Sequence, residues 1–75
     1  MPDEFKTLQA FMKFAYELND DEQIVDDLGI QLYTSTITAV EAKYRIFKIR
    51  LEDTCYTLAF DINTDRLHDI TEEAA

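Results

Sequence analysis

Along "DEFKTLQAFMKFAYELN" the apolar residues recur at helical spacing. Phe5, Leu8, Phe11, Met12, Phe14, Ala15, Tyr16 and Leu18 fall within roughly 200° of a helical wheel, with Lys6, Gln9, Lys13, Glu17 and Asp20 opposite. The pattern predicts a helix over 3–19, with Asp3 after Pro2 as its N-cap. Its apolar arc is wider than packing on one sheet face requires, so part of it is expected to meet a second element or another molecule. The next stretch, "DDEQIVDDLG", predicts a short second helix over 21–28. Asp20 and Gln23 form a capping-box pattern, and Gly29 stands where a left-handed C′ residue belongs. In that helix Ile24, Val25 and Leu28 face inward, and Asp21, Glu22, Asp26 and Asp27 face water.

After Gly29 the chain turns to β-branched and aromatic residues, and the hydrophobic period shortens to two. Strands are expected over 31–39, 43–51 and 55–62, with an edge strand over 66–70 and a frayed tail from Thr71. The turn after Leu51 sets Arg50 opposite Cys55, Ile49 opposite Tyr56 and Phe47 opposite Leu58, which turns Lys48 and Arg50 to solvent. Within the second strand the apolar positions change parity: Tyr44 and Ile46 are even, Phe47, Ile49 and Leu51 odd. A β-bulge near Ile46–Phe47, or a strand covered on both faces there, would reconcile the two sets. The fold class that follows is α+β: two N-terminal helices packed on one face of a three- to four-stranded antiparallel meander.

Length bounds this reading. Seventy-five residues make one domain, 1–75, with a thin margin of stability. Hydrophobic residues at 47% suffice for a core and argue against disorder. The segment from Met1 lacks the basic end and apolar run of a secretory signal, and nothing approaches the length of a membrane span. The single Cys55 excludes an internal disulfide, so the expected compartment is the cytoplasm.

Charge sharpens the picture. The formal net charge is −9, yet "KYRIFKIR" holds four of the seven basic residues and no acid. So acidic a chain is a poor match for nucleic acid phosphates or anionic membranes, and a good match for a basic protein surface. The acidic group Asp20, Asp21, Glu22, Asp26 and Asp27 is the candidate partner-binding patch. The row Lys43, Arg45, Lys48 and Arg50 is the competing candidate, a small basic docking site. Phe11, Phe14 and Leu18, on the surplus arc of the first helix, are the candidate self-association surface.

Chemistry adds little. The acidic group lacks the Gly and terminal Glu of an EF-hand loop. Cys55 and His68 could form a nucleophile–base pair, but neither has an oxyanion motif beside it, and His68 lacks matched metal ligands. No phosphate-binding glycine loop or paired-cysteine motif occurs. The expectation is a non-enzymatic protein without metal or cofactor. The run "YRIFKIRLEDTCYTLAFDINTDRLHDI" resembles the strand–strand–D-x-x-T-x-x-L ending of PepSY-type domains over about a third of the chain. Those domains usually carry Gly after the Thr, where this chain has Asp65, and they typically sit in exported proteins.

The function expected from these features is occupation of a basic surface on a larger protein partner. Its sharpest form is a nucleic-acid-mimicking inhibitor of the phage or mobile-element anti-defence kind. The alternative is a structural or assembly subunit that homodimerises through the wide apolar face of the first helix.

Overall fold

The computed structural model describes residues 2–19, 24–34 and 41–74. A 3-10 turn, Asp3–Phe5, is followed by one α-helix, α1 (Leu8–Leu18), and four strands: β1 (Val25–Thr34), β2 (Glu41–Leu51), β3 (Thr54–Asp61) and β4 (Leu67–Ala74). The strands form one antiparallel sheet in the order β1-β2-β3-β4. The meander is as the hydrophobic pattern predicts. The second helix is not: Val25 to Leu28 belong to β1, and among the described residues a single α-helix accompanies the sheet. A helix over 21–28 would be too short to hold without tertiary support. As a strand, the same segment buries Val25 opposite Ile49 and gains a ladder with β2. The Asp20–Gln23 capping pattern lies outside the described residues, as does the stretch 35–39 assigned to the first strand.

The first helix is also shorter than 3–19. It breaks at Lys6 and Thr7, where the chain pairs with the β3–β4 turn. Leu67 N donates to Lys6 O at 2.9 Å, and Leu8 N donates to Asp65 O at 2.9 Å. Thr7, not Asp3, caps α1: its hydroxyl accepts from Ala10 N at 3.1 Å. At the other end Asn19 clasps the start of β1. Its Oδ1 accepts from Ile24 N and Val25 N at 2.9 and 3.0 Å, and its Nδ2 donates to Val25 O at 3.1 Å. The helix is thus tied at its N-terminal end by backbone bonds to Asp65 and Leu67, and at its C-terminal end by the Asn19 side chain, which also terminates it.

Between these ties lies the core. Phe11 and Ala15 of α1 pack with Phe5, Val25, Phe47, Ile49, Leu58 and Phe60, and Leu8, Phe14 and Leu18 lean against this cluster. Phe11 sits at the centre, its ring 4.9 Å from that of Phe47 and 5.2 Å from that of Phe60. The register of β2 on β3 is the one the turn predicts: Arg50 opposite Cys55, Ile49 opposite Tyr56, Phe47 opposite Leu58. The odd positions of β2 therefore face α1 and the even ones the open side.

The parity change is resolved in two ways at once. Ile46, on the open side, is 7% exposed and Phe47, on the helix side, 4%, so β2 is covered on both faces at this point. The bulge is present but on the neighbouring strand. Asp27 pairs with Phe47 and Gly29 with Ile46, leaving Leu28 as the extra residue of β1. Gly29 has φ 85°, the positive value expected of it, spent on a bulge and not on a helix end. A second irregularity makes His68 the extra residue of β4, between Leu67 and Asp69.

The turn between β3 and β4 is built by acids. Asp61 Oδ1 accepts from Asn63 N and Thr64 N at 2.8 and 3.3 Å, and Asp65 has φ 63°. Asp65 stays in this left-handed conformation while its Oδ1 accepts from Gln9 N at 3.2 Å in the first turn of α1. Thr71–Ala74, expected as a frayed tail, is strand, paired with Thr54–Thr57.

Candidate functional site

The acidic patch read from the sequence does not stay together. Asp20, Asp21 and Glu22 lie outside the described residues. Asp26 and Asp27 are neighbours on β1, so they point to opposite faces of the sheet. Asp26 is exposed on the open face opposite Lys48. Asp27, on the helix face, is engaged by Arg45 in a bidentate ion pair: Nε donates to Oδ1 at 2.9 Å and a terminal nitrogen donates to Oδ2. Its Oδ1 also accepts from Gly29 N at 2.9 Å, which ties the pair to the bulge. The guanidinium holds the Asp27 carboxyl below the ordinary carboxylate range, and the carboxylate raises Arg45 in return.

The basic row is likewise divided by the pleat. Lys48 and Arg50 are exposed on the open face, as the register predicts, whereas Lys43 and Arg45 project to the helix side. Arg45 is occupied by Asp27 and lies 5.6 Å above the Phe47 ring. Of the self-association candidates, Phe11 is fully buried, and Phe14 and Leu18 are half-buried against the core. The exposed margin of α1 is the other one, Met12 and Tyr16. These two border an open groove of about 440 Å³ between α1 and the start of β1, floored by Ala15, Val25 and Phe47.

Cys55 and His68 are set apart. Cys55 pairs with Glu73, five residues along β4 from His68, a span of about 16 Å on an extended strand. His68 instead stacks on Tyr44, ring centroids 4.3 Å apart. Among the described residues no three His, Cys, Asp or Glu side chains converge as a metal-binding group.

What the chain does assemble is a different acidic surface. The β3–β4 register places Thr54 opposite Ala74 and Cys55 opposite Glu73. The β2–β3 turn, Glu52–Asp53, therefore lies beside the end of β4, and Glu52, Asp53, Glu72 and Glu73 are all exposed, Glu72 on the helix face of the edge and Glu73 on its open face. Asp69 continues the border along the outer edge of the sheet, exposed as well. Neither 67–74 nor 52–53 contains a Lys or Arg. Sequence reasoning misses this border because its two halves are about twenty residues apart and meet through strand pairing. The usable signal was the clean alternation of 55–62, which extends the pairing into "TEEA".

No family model matches this chain, and no curated protein or solved structure does. The PepSY-like run maps onto β2, β3 and the first half of β4, with Asp65 holding at positive φ the position where those domains carry Gly. Among the described residues no helix is long and apolar enough to cross a membrane.

Proposed function

We propose that this protein is a small, acidic, non-enzymatic binding protein that occupies a basic surface on a larger protein partner. The observation that carries the reading is the border formed by Glu52, Asp53, Asp69, Glu72 and Glu73. These carboxylates are exposed along one edge of the sheet, Asp69 and Glu73 on its open face and Glu72 on its helix face, on a molecule of net charge −9. Fixed like charges of this kind steer a basic partner into contact and exclude acidic ones. Asp26 adds to the same field. Asp27 contributes less, since Arg45 neutralises it. Cys55, a half-buried free thiol, suits action in the reducing cytoplasm.

Affinity capture on the immobilised protein at low ionic strength tests the reading. A basic partner is expected to bind and to elute as salt rises. The variant Glu52→Lys, Asp53→Lys, Glu72→Lys, Glu73→Lys should lose it by at least about tenfold, because like charges replace opposite ones across the contact. Capture that is unchanged by this reversal and by salt would sink the proposal. The nucleic-acid-mimic form demands more: the captured protein must itself bind nucleic acid, and duplex DNA must displace it.

A further inference from the structure

The opposite edge of the sheet has the reverse character. From Leu28 to Val40 the chain contains no charged residue, the longest such stretch in the protein. Three large apolar side chains here are half in water: Leu28 is 51% exposed, Ile30 57% and Leu32 55%. Natural sheet edges are guarded by charge, proline or a bulge. The guards are present on β4, with Asp69, Glu72 and Glu73, and on the first half of β1, with Asp26, Asp27 and the Leu28 bulge. They stop at Gly29.

Backbone geometry tells which groups this edge presents. Arg50 N donates to Ile24 O at 3.1 Å, which makes Ile24 and Arg50 a hydrogen-bonded pair. Antiparallel pairs alternate, and the bulge shifts β1 by one residue against β2. Past the bulge the pairs bonded to β2 are therefore those at Gly29, Gln31 and Tyr33. Ile30, Leu32 and Thr34 turn their N–H and C=O groups outward, and among the described residues no strand lies beyond them. Support on the other side thins out here. The ladder with β3 ends at Tyr44 and Asp61 and is followed by one backbone bond, Ile62 N to Lys43 O at 3.2 Å, so among the described residues Glu41 and Ala42 pair with β1 alone. Two strands without a third are marginal in water.

We propose that a second copy of this chain completes the sheet, β1 against β1 in antiparallel pairing about a two-fold axis at Leu32. In that register Leu32 faces its own counterpart and Ile30 faces Thr34, so outward groups meet outward groups in every pair. The occupant is a second copy because the edge is self-complementary: the outward set Ile30, Leu32 and Thr34 matches itself about Leu32. Two molecules of −9 repel, and the charge-free stretch after Gly29 is where their backbones approach without bringing carboxylates together. The neighbouring α1 carries one Lys and one Glu and is also neutral overall. A stable dimer buries about 800 Å² per partner, roughly a seventh of this monomer's 5520 Å². Leu28, Ile30 and Leu32 with Met12 and Tyr16 supply an apolar ridge on that side. The pairing leaves the acidic β4 borders at the two far ends of an eight-stranded sheet, so it is independent of the binding reading above.

Sedimentation equilibrium of the purified full chain, from micromolar to millimolar concentration and without any partner, is the test. The expected result is a concentration-dependent rise from 8.8 kDa to twice that mass. Leu32→Lys should weaken the dimer by at least about tenfold, since two lysines would meet at the axis. Glu72→Lys should not weaken it. Amide exchange supplies a second measurement that needs no variant: protection at Ile30, Leu32 and Thr34 should grow with concentration, while Gln31 and Tyr33 stay protected throughout. A monomer at every concentration overturns the proposal. So does a dimer that survives Leu32→Lys with unchanged exchange at Ile30, Leu32 and Thr34, which would place the contact on α1 or give the edge to a different occupant.

Discussion

Asp27 shows how one residue can be assigned the right type and the wrong neighbours. Read on a helix it is one of a row of solvated acids; on β1 it accepts two hydrogen bonds from Arg45 and one from Gly29. Arg45 holds its carboxyl below the ordinary 3.8. A depressed carboxyl stabilises the fold above its unfolded value, and that contribution is lost as pH falls through the folded value. Asp27→Asn should thus cost at most about 1 kcal/mol near pH 7, the pair being partly exposed and screened. Wild type and variant should converge once pH falls below the carboxylate range. Urea melts over a pH series decide it, and a gap that persists in acid would show that something other than the ion pair is lost. Asn19 and Asp65 teach the same lesson. Their types fit caps and turns, but that Asp65 accepts from Gln9 N in the first turn of α1 and Asn19 ties the helix to β1 depends on contacts between separate segments.

For elements, the hydrophobic period separates helix from sheet wherever burial is one-sided. α1 and the β2–β3 hairpin, with its register, were legible for that reason. Val25 to Leu28 were not, because Ile24, Val25 and Leu28 fit a helix face as well as strand positions around a bulge. Gly29 satisfies both readings, since a helix C′ and a bulge each demand positive φ. Its substitution isolates the cost. A Cβ at Gly29 would meet nothing within 4 Å, so Gly29→Ala pays in backbone conformation alone. The expected loss is about 1–2 kcal/mol, read from the urea midpoint. An unchanged midpoint would mean that the bulge relaxes to negative φ.

The whole molecule is governed by a small core and a large charge. Among the described residues eight buried side chains form the central cluster, and a net charge of −9 works against them. Added salt should therefore raise the melting temperature of the dilute protein by about 5 °C as self-repulsion is screened. A flat or falling melting temperature would show that local ion pairs outweigh the repulsion. Net charge, the lack of catalytic motifs, one apolar helix and an antiparallel meander were all determined by the sequence by itself, since each depends on composition or on periodicity within a segment. Which carboxylates stand together, and which edge is left apolar, was decided by tertiary structure. Strand pairing brings Glu52 and Asp53 to the edge that carries Glu72 and Glu73, and the pleat sends Asp26 and Asp27, like Glu72 and Glu73, to opposite faces. Side-chain proximity across a sheet is set by register and strand order, and no local pattern of residues encodes either one completely.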